Sequence, residues 1–207
     1  MNITKDLLET THENIREVIR LTADKIDSES IIDNVPKKGD QMPSFQLKNT
    51  EGNIISSKEL LEEGPLILIF SPGNLTLNSN LELQSYQESL PEIHKLGANL
   101  VIISQDSREN IEKVIEDNLL EYEILIDENN EMARKIGLVT HLDKKLSDVY
   151  KKLGIRLLRD KDNLLELPIP ATFVVDTDSS IILSYIDMDY TNRLSPEEAL
   201  DGLRNRR

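Results

Sequence analysis

Residues 65–83 read PLILIFSPGNLTLNSNLEL, and their pattern is the clearest indication of the fold class. The continuous apolar run at 65–70 is typical of a β-strand that is covered on both faces. A Pro-Gly turn follows at residues 72–73, and polar residues then lead into a segment with helical periodicity. A buried strand that passes through a turn into a helix is a building unit of sheets layered with helices.

The rest of the chain repeats this alternation of strands and helices. Predicted strands cover residues 45–47, 53–56, 65–70, 99–104, 123–126, 172–176 and 181–186. Predicted helices cover residues 81–96, 108–119, 130–136 and 142–153, and a last helix begins at Ser195 with Pro196 in its first position. Pro91 predicts a kink or a restart near Leu90. Together these elements predict a mixed α/β sheet.

The N-terminal region differs from the remainder. Apolar residues recur at helical spacing over about residues 4–28, which predicts an amphipathic helix that docks on the body of the protein or on a partner. Residues 33–40 contain Pro and Gly and are typical of a linker. We therefore expect two parts, an N-terminal helix with its linker at 1–36 and a folded domain at 37–207.

Composition limits the function classes. The 207 residues carry 38 acidic and 24 basic side chains, a formal charge of −14, which argues against binding to a phosphate backbone. The chain has no cysteine, so thiol nucleophiles, disulfides and thiolate metal sites are all excluded. The N-terminus lacks the pattern of a secretory signal, and no apolar run approaches the roughly 20 residues of a membrane span. We therefore expect a cytoplasmic protein with no membrane partner.

Three motifs carry a family resemblance. Residues 39–47 (GDQMPSFQL) look like the family's opening pattern G-D-x-x-P-x-F-x-L, and residues 70–79 (FSPGNLTLNS) align with its P-x-x-x-T-x-x-C. Residues 167–176 (LPIPATFVVD) look like its penultimate strand. Over about residues 39–203 the chain resembles the peroxiredoxin branch of the thioredoxin fold, the alkyl hydroperoxide reductase and thiol-specific antioxidant family. Residues 189–198 (DYTNRLSPEE) are similar to a peroxiredoxin-like subgroup whose site usually carries C-x-x-C. The resemblance implies a three-layer α/β/α domain with a central mixed sheet.

The resemblance also implies roles for residues at the site. Pro72 would shield the pocket, and Thr76 would hydrogen-bond a bound peroxide. Ser79 holds the place of the peroxidatic cysteine in the first turn of a helix, and Glu82 that of the acid that follows it. In the subgroup, the two cysteines would fall on Thr76 and Ser79.

The active-site arginine of the family would fall on Pro170 and is therefore absent. A proline there looks more like the cis-proline of thioredoxins. Arg193 is the nearest candidate for a substitute cation.

Replacement of the cysteine by Ser79 removes the family's redox chemistry. Peroxide reduction needs a thiolate that becomes a sulfenic acid and is then recycled by a second thiol. A helix N-terminus can lower the pKa of a thiol from about 8.5 into the working range. A serine hydroxyl ionises far less readily and has no sulfenic state. The sequence therefore predicts no thiol peroxidase and no disulfide reductase activity.

Other chemistries find little support. A serine nucleophile needs a base, and the three histidines, His12, His94 and His141, lie in separate segments. Both His94 and His141 are expected on solvated helix faces. Residues 127–132 begin like a calcium-binding loop, but Met132 occupies the position where glycine is needed, which favours a turn with a helix cap. We expect no metal and no cofactor.

Three functional hypotheses remain. The first is a peroxiredoxin-fold protein that has lost redox catalysis and acts by binding a protein partner or a small molecule. The second is an antioxidant thiol peroxidase represented here by a Cys-to-Ser variant. The third is a non-thiol enzyme that reuses Thr76, Ser79 and Arg193. Because family members often associate through sheet edges or the rim of the active site, a homodimer is also expected.

Overall fold

The computed structural model of the chain describes residues 34–71, 77–142, 158–159, 162, 165–187 and 192–206. The side chains of residues 77–79, 142 and 159 lie outside that description. The predicted N-terminal helix at about 4–28 therefore falls outside the described residues. The division into parts at 1–36 and 37–207 stays a prediction.

Fifteen elements follow one another along the described chain. The strands are β1 (Gln46–Lys48), β2 (Ile54–Ser56), β3 (Leu66–Ser71), β4 (Asn99–Ser104), β5 (Glu123–Ile126), β6 (Val139–Leu142), β7 (Leu158–Arg159), β8 (Leu165–Pro168), β9 (Ala171–Val175) and β10 (Ile181–Ile186). The helices are α1 (Ser57–Glu63), α2 (Leu77–Lys95), α3 (Arg108–Asn118), α4 (Glu131–Lys135) and α5 (Pro196–Arg204).

The main sheet of the described chain has seven strands in the order β10-β9-β3-β4-β5-β1-β2. Strand β3 lies in the interior of the sheet, where it runs parallel to β4 and antiparallel to β9. Both parallel and antiparallel ladders are therefore present, which confirms the predicted mixed sheet. The parallel register brings Ser71 opposite Ser104, so β3 and β4 end side by side at one edge of the sheet.

Two apolar cores lie on opposite faces of this sheet and make three layers. In β3, Leu66, Leu68 and Phe70 join one core, which α1 and α4 cover. The alternate residues Ile67 and Ile69 join the other core, which α2, α3 and α5 cover. Burial on both faces explains why residues 66–70 of this strand are all apolar.

A second, three-stranded sheet in the order β6-β8-β7 was not predicted. Its strand β6 pairs antiparallel with β8 from Val139 opposite Pro168 to Leu142 opposite Leu165. The prediction that a helix begins at Leu142 is therefore wrong, because that residue ends a strand held by cross-strand hydrogen bonds. The rest of the predicted helix, 143–153, lies outside the described residues.

Helix α2 contains Pro91 within its 19 residues and runs through it without a break. The expected restart near Leu90 is therefore wrong. Proline removes one backbone donor, but Tyr86, Leu90 and Ile93 are all buried in the second core and hold the helix against the sheet on both sides of the proline.

The segment expected to be a linker is packed where it is described. Val35 is buried in the first core, and Ser184 donates a hydrogen bond to the carbonyl of Pro36. The amide of Gly39 donates to the carbonyl of Ile181, whose own amide donates to the carbonyl of Asp40. This segment thus adds to the edge strand β10 and is not a loose connection.

Candidate functional site

The site expected from the motif lies where β3 gives way to α2. Strand β3 ends at Ser71, α2 begins at Leu77, and Ser79 is the third residue of that helix. Its backbone therefore lies at a helix N-terminus, where unpaired amides and the helix dipole favour negative charge. Pro72 and Thr76 lie outside the described residues, so the roles implied for them stay predictions.

One turn further along α2, Glu82 forms a buried ion pair with Arg193. The Nε of Arg193 donates to Oε2 of Glu82 at 3.0 Å, and the two side chains are only 13% and 4% exposed. A second guanidinium nitrogen donates to the carbonyl of Asn192 at 2.7 Å. The structure thus brings together two predicted site residues that lie 111 positions apart in sequence.

The surroundings of this pair are apolar, and they perturb the acid. Burial raises the pKa of Glu82, and the charge and hydrogen bond of Arg193 offset only part of that effect. Burial, and then the charge of Glu82, also raise the pKa values of Tyr86 and Tyr122. Both phenols stay neutral and donate hydrogen bonds, Tyr86 to the carbonyl of Leu194 and Tyr122 to that of Leu83.

Several polar atoms near the start of α2 are buried and unmatched. Within the described part of the chain, no hydrogen-bond partner reaches Oγ of Ser71, Oδ1 of Asn80 or Oε1 of Glu82. These atoms belong to the end of β3 and the first turns of α2, which precede and follow residues 72–76 in the sequence. Buried acceptors of this kind can take hydrogen bonds from water or from a bound molecule.

Pro170 lies in the short link between β8 and β9. It is buried and directly precedes Ala171, which pairs with Phe70 of β3. The expectation of a cis peptide bond there is wrong, because the described peptide bonds are all trans. Proline makes the cis form accessible but still favours trans by roughly 0.5–1 kcal/mol. No cation can be supplied from this position.

The other candidate residues predicted from the sequence do not belong to this site. His94 is exposed at the far end of α2, as expected for a solvated helix face. His141 is exposed but lies in β6, so its predicted place on a helix is wrong, and pairing with β8 is the reason. The turn at Asp127 is confirmed as a helix cap, because its carboxylate accepts from the amides of Met132 and Ala133.

Comparison with known proteins agrees with the geometry. The model of the AhpC/TSA family matches residues 38–184. A putative peroxiredoxin (bcp) of Helicobacter pylori is 32% identical over 139 residues, covering 67% of this chain and 80% of that protein. A putative peroxiredoxin of Mycobacterium tuberculosis is 26% identical over 168 residues, covering 81% of this chain and 96% of its own.

Solved structures show the same architecture. The crystal structure of the peroxidoxin BcpB of Mycobacterium tuberculosis superposes with a TM-score of 0.65 at 25% identity, covering 83% of this chain and 98% of that one. A cysteine-to-serine mutant of peroxiredoxin 6 of Arenicola marina also has a TM-score of 0.65, at 22% identity, covering 82% of this chain and 72% of that one, and supports the fold alone.

The class of protein is therefore a thioredoxin-like α/β domain of the peroxiredoxin type. This chain belongs to the AhpC/TSA family, and it does so without any cysteine. In the described part of the chain, no helix is both long and apolar enough to cross a membrane.

Sequence reasoning did not anticipate the contact between Glu82 and Arg193, because no local pattern links residues so far apart. It also missed Tyr86 and Tyr122. A signal existed for Tyr86, which continues the apolar stripe of α2 through Leu83 and Leu90.

Proposed function

We propose that this chain is a peroxiredoxin-fold pseudoenzyme that has no thiol peroxidase activity and acts by binding. The observation that carries the proposal is the absence of any thiol in a chain whose family chemistry requires one at position 79. The helix N-terminus that would stabilise a thiolate can only orient a hydroxyl at this position.

A second observation supports loss of the whole catalytic set. The arginine expected before the late strand is replaced by Pro170, and the cation expected to substitute for it, Arg193, is already paired with Glu82. A side chain engaged in a buried ion pair is less able to stabilise charge on a reacting peroxide. Ser71, Asn80 and Glu82 each have a buried side-chain oxygen with no hydrogen-bond partner among the described residues. These oxygens favour binding of a small molecule or water at the site where the family binds peroxide.

The alternative is an antioxidant thiol peroxidase represented by a Cys-to-Ser variant. It predicts that one substitution, Ser79→Cys, restores thiol-dependent peroxide reduction. The pseudoenzyme proposal predicts that this variant stays inactive, because the surrounding residues have also changed. Recovery of substantial turnover by Ser79→Cys alone would favour the alternative.

A matched control separates the position of a thiol from its mere presence. Ser89→Cys places a cysteine in the same helix, ten residues and about 15 Å further along its axis. Both variants are assayed with hydrogen peroxide and dithiothreitol, and only activity above the Ser89→Cys level counts as restored catalysis. A double variant, Thr76→Cys with Ser79→Cys, tests whether the subgroup's C-x-x-C is needed.

The proposed setting is cytoplasmic, with no nucleic-acid partner and no membrane partner, in keeping with the net charge of −14. We further propose a homodimer and, through the predicted N-terminal helix, a protein partner. Light scattering of the whole chain tests the dimer: a mass near 47 kDa, twice 23.6 kDa, supports it, and 23.6 kDa refutes it.

A further inference from the structure

Two leucines are exposed on the outer surface where helix α2 lies beside the end of helix α3. Leu81 of α2 is 57% exposed, and Leu119, which follows the last residue of α3, is 80% exposed. In the described part of the chain, the only other exposed large apolar side chain is that of Ile54 in β2. A single exposed apolar side chain is common on protein surfaces, whereas several at one place mark a contact surface.

A hydrogen bond between the two helices places these leucines on the same part of the surface. Nε2 of Gln84 in α2 donates to Oδ1 of Asn118, the last residue of α3, at 3.0 Å. Leu81 precedes Gln84 by three residues and therefore lies on the same flank of α2. Leu119 directly follows Asn118. The two leucines thus lie on either side of this hydrogen bond, and we call the area around them the α2–α3 surface.

The backbone of Leu119 has a conformation that disfavours leucine. Its φ of 51° and ψ of 48° are left-handed, and a residue that ends a helix in this way is usually glycine and sometimes asparagine. Its side chain is nevertheless large, apolar and left in water. Neither packing nor backbone geometry within the chain explains a leucine here, which indicates a contact with another molecule.

The surface around Leu119 is negatively charged. Glu116 and Asp117 in the last turn of α3 and Glu121 just beyond it are all exposed, and none of them takes part in an ion pair of the described residues. The last turn of α3 has no basic residue, so the negative end of the helix dipole adds to these charges. The nearest cation on α3 in sequence is Lys113, which precedes that turn.

We propose that the α2–α3 surface docks a partner protein through a cationic amphipathic helix. The apolar side chains of such a helix cover Leu81 and Leu119, and its lysine or arginine side chains lie against the surrounding carboxylates. This inference goes beyond the proposed function, because it does not depend on the loss of peroxidase activity.

The charge of the chain argues against two other occupants. A second copy carries the same net charge of −14 and is repelled from an acidic surface. The chain's own N-terminal segment is also acidic, since residues 1–33 contain 8 acidic and 4 basic side chains. A cationic partner therefore fits the surface better than any part of this chain that could be brought to it.

Binding of a synthetic peptide tests the proposal on the whole chain. The probe is a fluorescently labelled peptide of about 14 leucine and lysine residues, spaced so that the leucines share one face of a helix. Binding is measured by fluorescence anisotropy at about 0.15 M salt, where attraction between distant exposed charges is largely screened. A peptide of the same composition in scrambled order has no apolar face to cover the leucines, and we expect it to bind at least about fivefold more weakly. Equal binding of the two peptides would contradict the proposal.

The Leu119→Asn variant separates docking from stability. Asparagine tolerates the left-handed conformation, so this variant is expected to be at least as stable as the native chain in urea unfolding. Its Kd for the amphipathic peptide is expected to rise about five- to tenfold, because an apolar contact is lost. Ile54→Asn removes an exposed apolar side chain from β2 and is the matched control, with a Kd expected to stay within about twofold of the native value. Unchanged binding in Leu119→Asn, or equal weakening in Ile54→Asn, would overturn the proposal.

Two double variants test the carboxylates at constant net charge. Glu116→Gln with Asp117→Asn removes two charges beside Leu119, whereas Glu62→Gln with Glu63→Gln removes two exposed charges from α1. We expect the Kd to rise about threefold or more in the first and less than about 1.5-fold in the second. Equal effects would mean general attraction to an acidic chain and would count against the α2–α3 surface. Light scattering covers the remaining occupant: a dimer that Leu119→Asn converts to a monomer would assign this surface to a second copy and refute the proposal.

Discussion

Removal of Arg193 tests the electrostatics of the candidate site. The Arg193→Met variant keeps most of the side-chain volume and leaves Glu82 buried without its cation. Breaking a buried pair by removing one partner typically costs about 3–5 kcal/mol. Because Glu82 can escape part of that cost by taking up a proton, we expect a loss of about 3 kcal/mol at neutral pH.

The sign of the pH dependence follows from the raised pKa of Glu82. A carboxyl whose pKa is higher in the folded protein than in the unfolded chain destabilises the fold at high pH; this penalty declines as pH falls below the folded pKa and is gone below the unfolded pKa. Loss of Arg193 raises that pKa further. The deficit of Arg193→Met relative to the native chain is therefore expected to shrink between about pH 7 and pH 5.

Urea unfolding followed by circular dichroism measures the effect. A loss of about 3 kcal/mol corresponds to a midpoint lower by about 1 M urea for a domain of this size. Arg204→Met is the matched control, because Arg204 pairs with Glu197 and Asp201 on the surface and its loss costs at most about 1 kcal/mol. The double variant Glu82→Met with Arg193→Met is expected to recover most of the stability. A deficit below about 1 kcal/mol, or one that is equal at both pH values, would refute the reasoning.

Two further predictions concern local packing. Gly64→Ala is expected to lose about 1–3 kcal/mol in the same unfolding assay, because an added Cβ would clash with the carbonyl oxygen of Gly97. The control is Glu63→Ala, which changes the exposed neighbour, and equal midpoints for the two variants would contradict the prediction. Ser195→Ala is expected to lose about 1 kcal/mol, because it removes the side chain that caps α5 in a capping box with Glu198; an unchanged midpoint would argue against that role.

The sequence predicted the central sheet well for a physical reason. Strands buried on both faces form nearly continuous apolar runs, and the predictions for β4 and β5 coincide with the structure to the residue, as does that for the half-buried β10. The observed ends of the other predicted strands and helices differ from the predicted ends by one residue or a few. Helix α2 begins at Leu77, four residues before its predicted start. The start of the last helix was predicted well too, since Ser195 accepts a hydrogen bond from the first turn of that helix.

The small sheet and the site's ion pair could not be found in this way. Strand β8 contains Glu166 among apolar residues, and its burial depends on Arg134 from another element. Likewise, the burial of Glu82 depends on its ion pair with Arg193, which lies 111 positions further along the chain. Both arrangements rest on contacts between distant residues, which periodicity and motif spacing do not encode.

The most direct test of the central claim is peroxide consumption by the native chain with excess dithiothreitol. No turnover is expected, because the chain has no thiol to be oxidised and recycled. Direct oxidation of its 4 methionines can consume only that many equivalents of peroxide per chain, since dithiothreitol alone does not recycle the sulfoxide. A plateau at or below that limit supports the pseudoenzyme account. Because dithiothreitol also reduces peroxide directly, both results are taken after subtraction of a protein-free blank, and sustained loss of peroxide far beyond that limit would contradict the proposal.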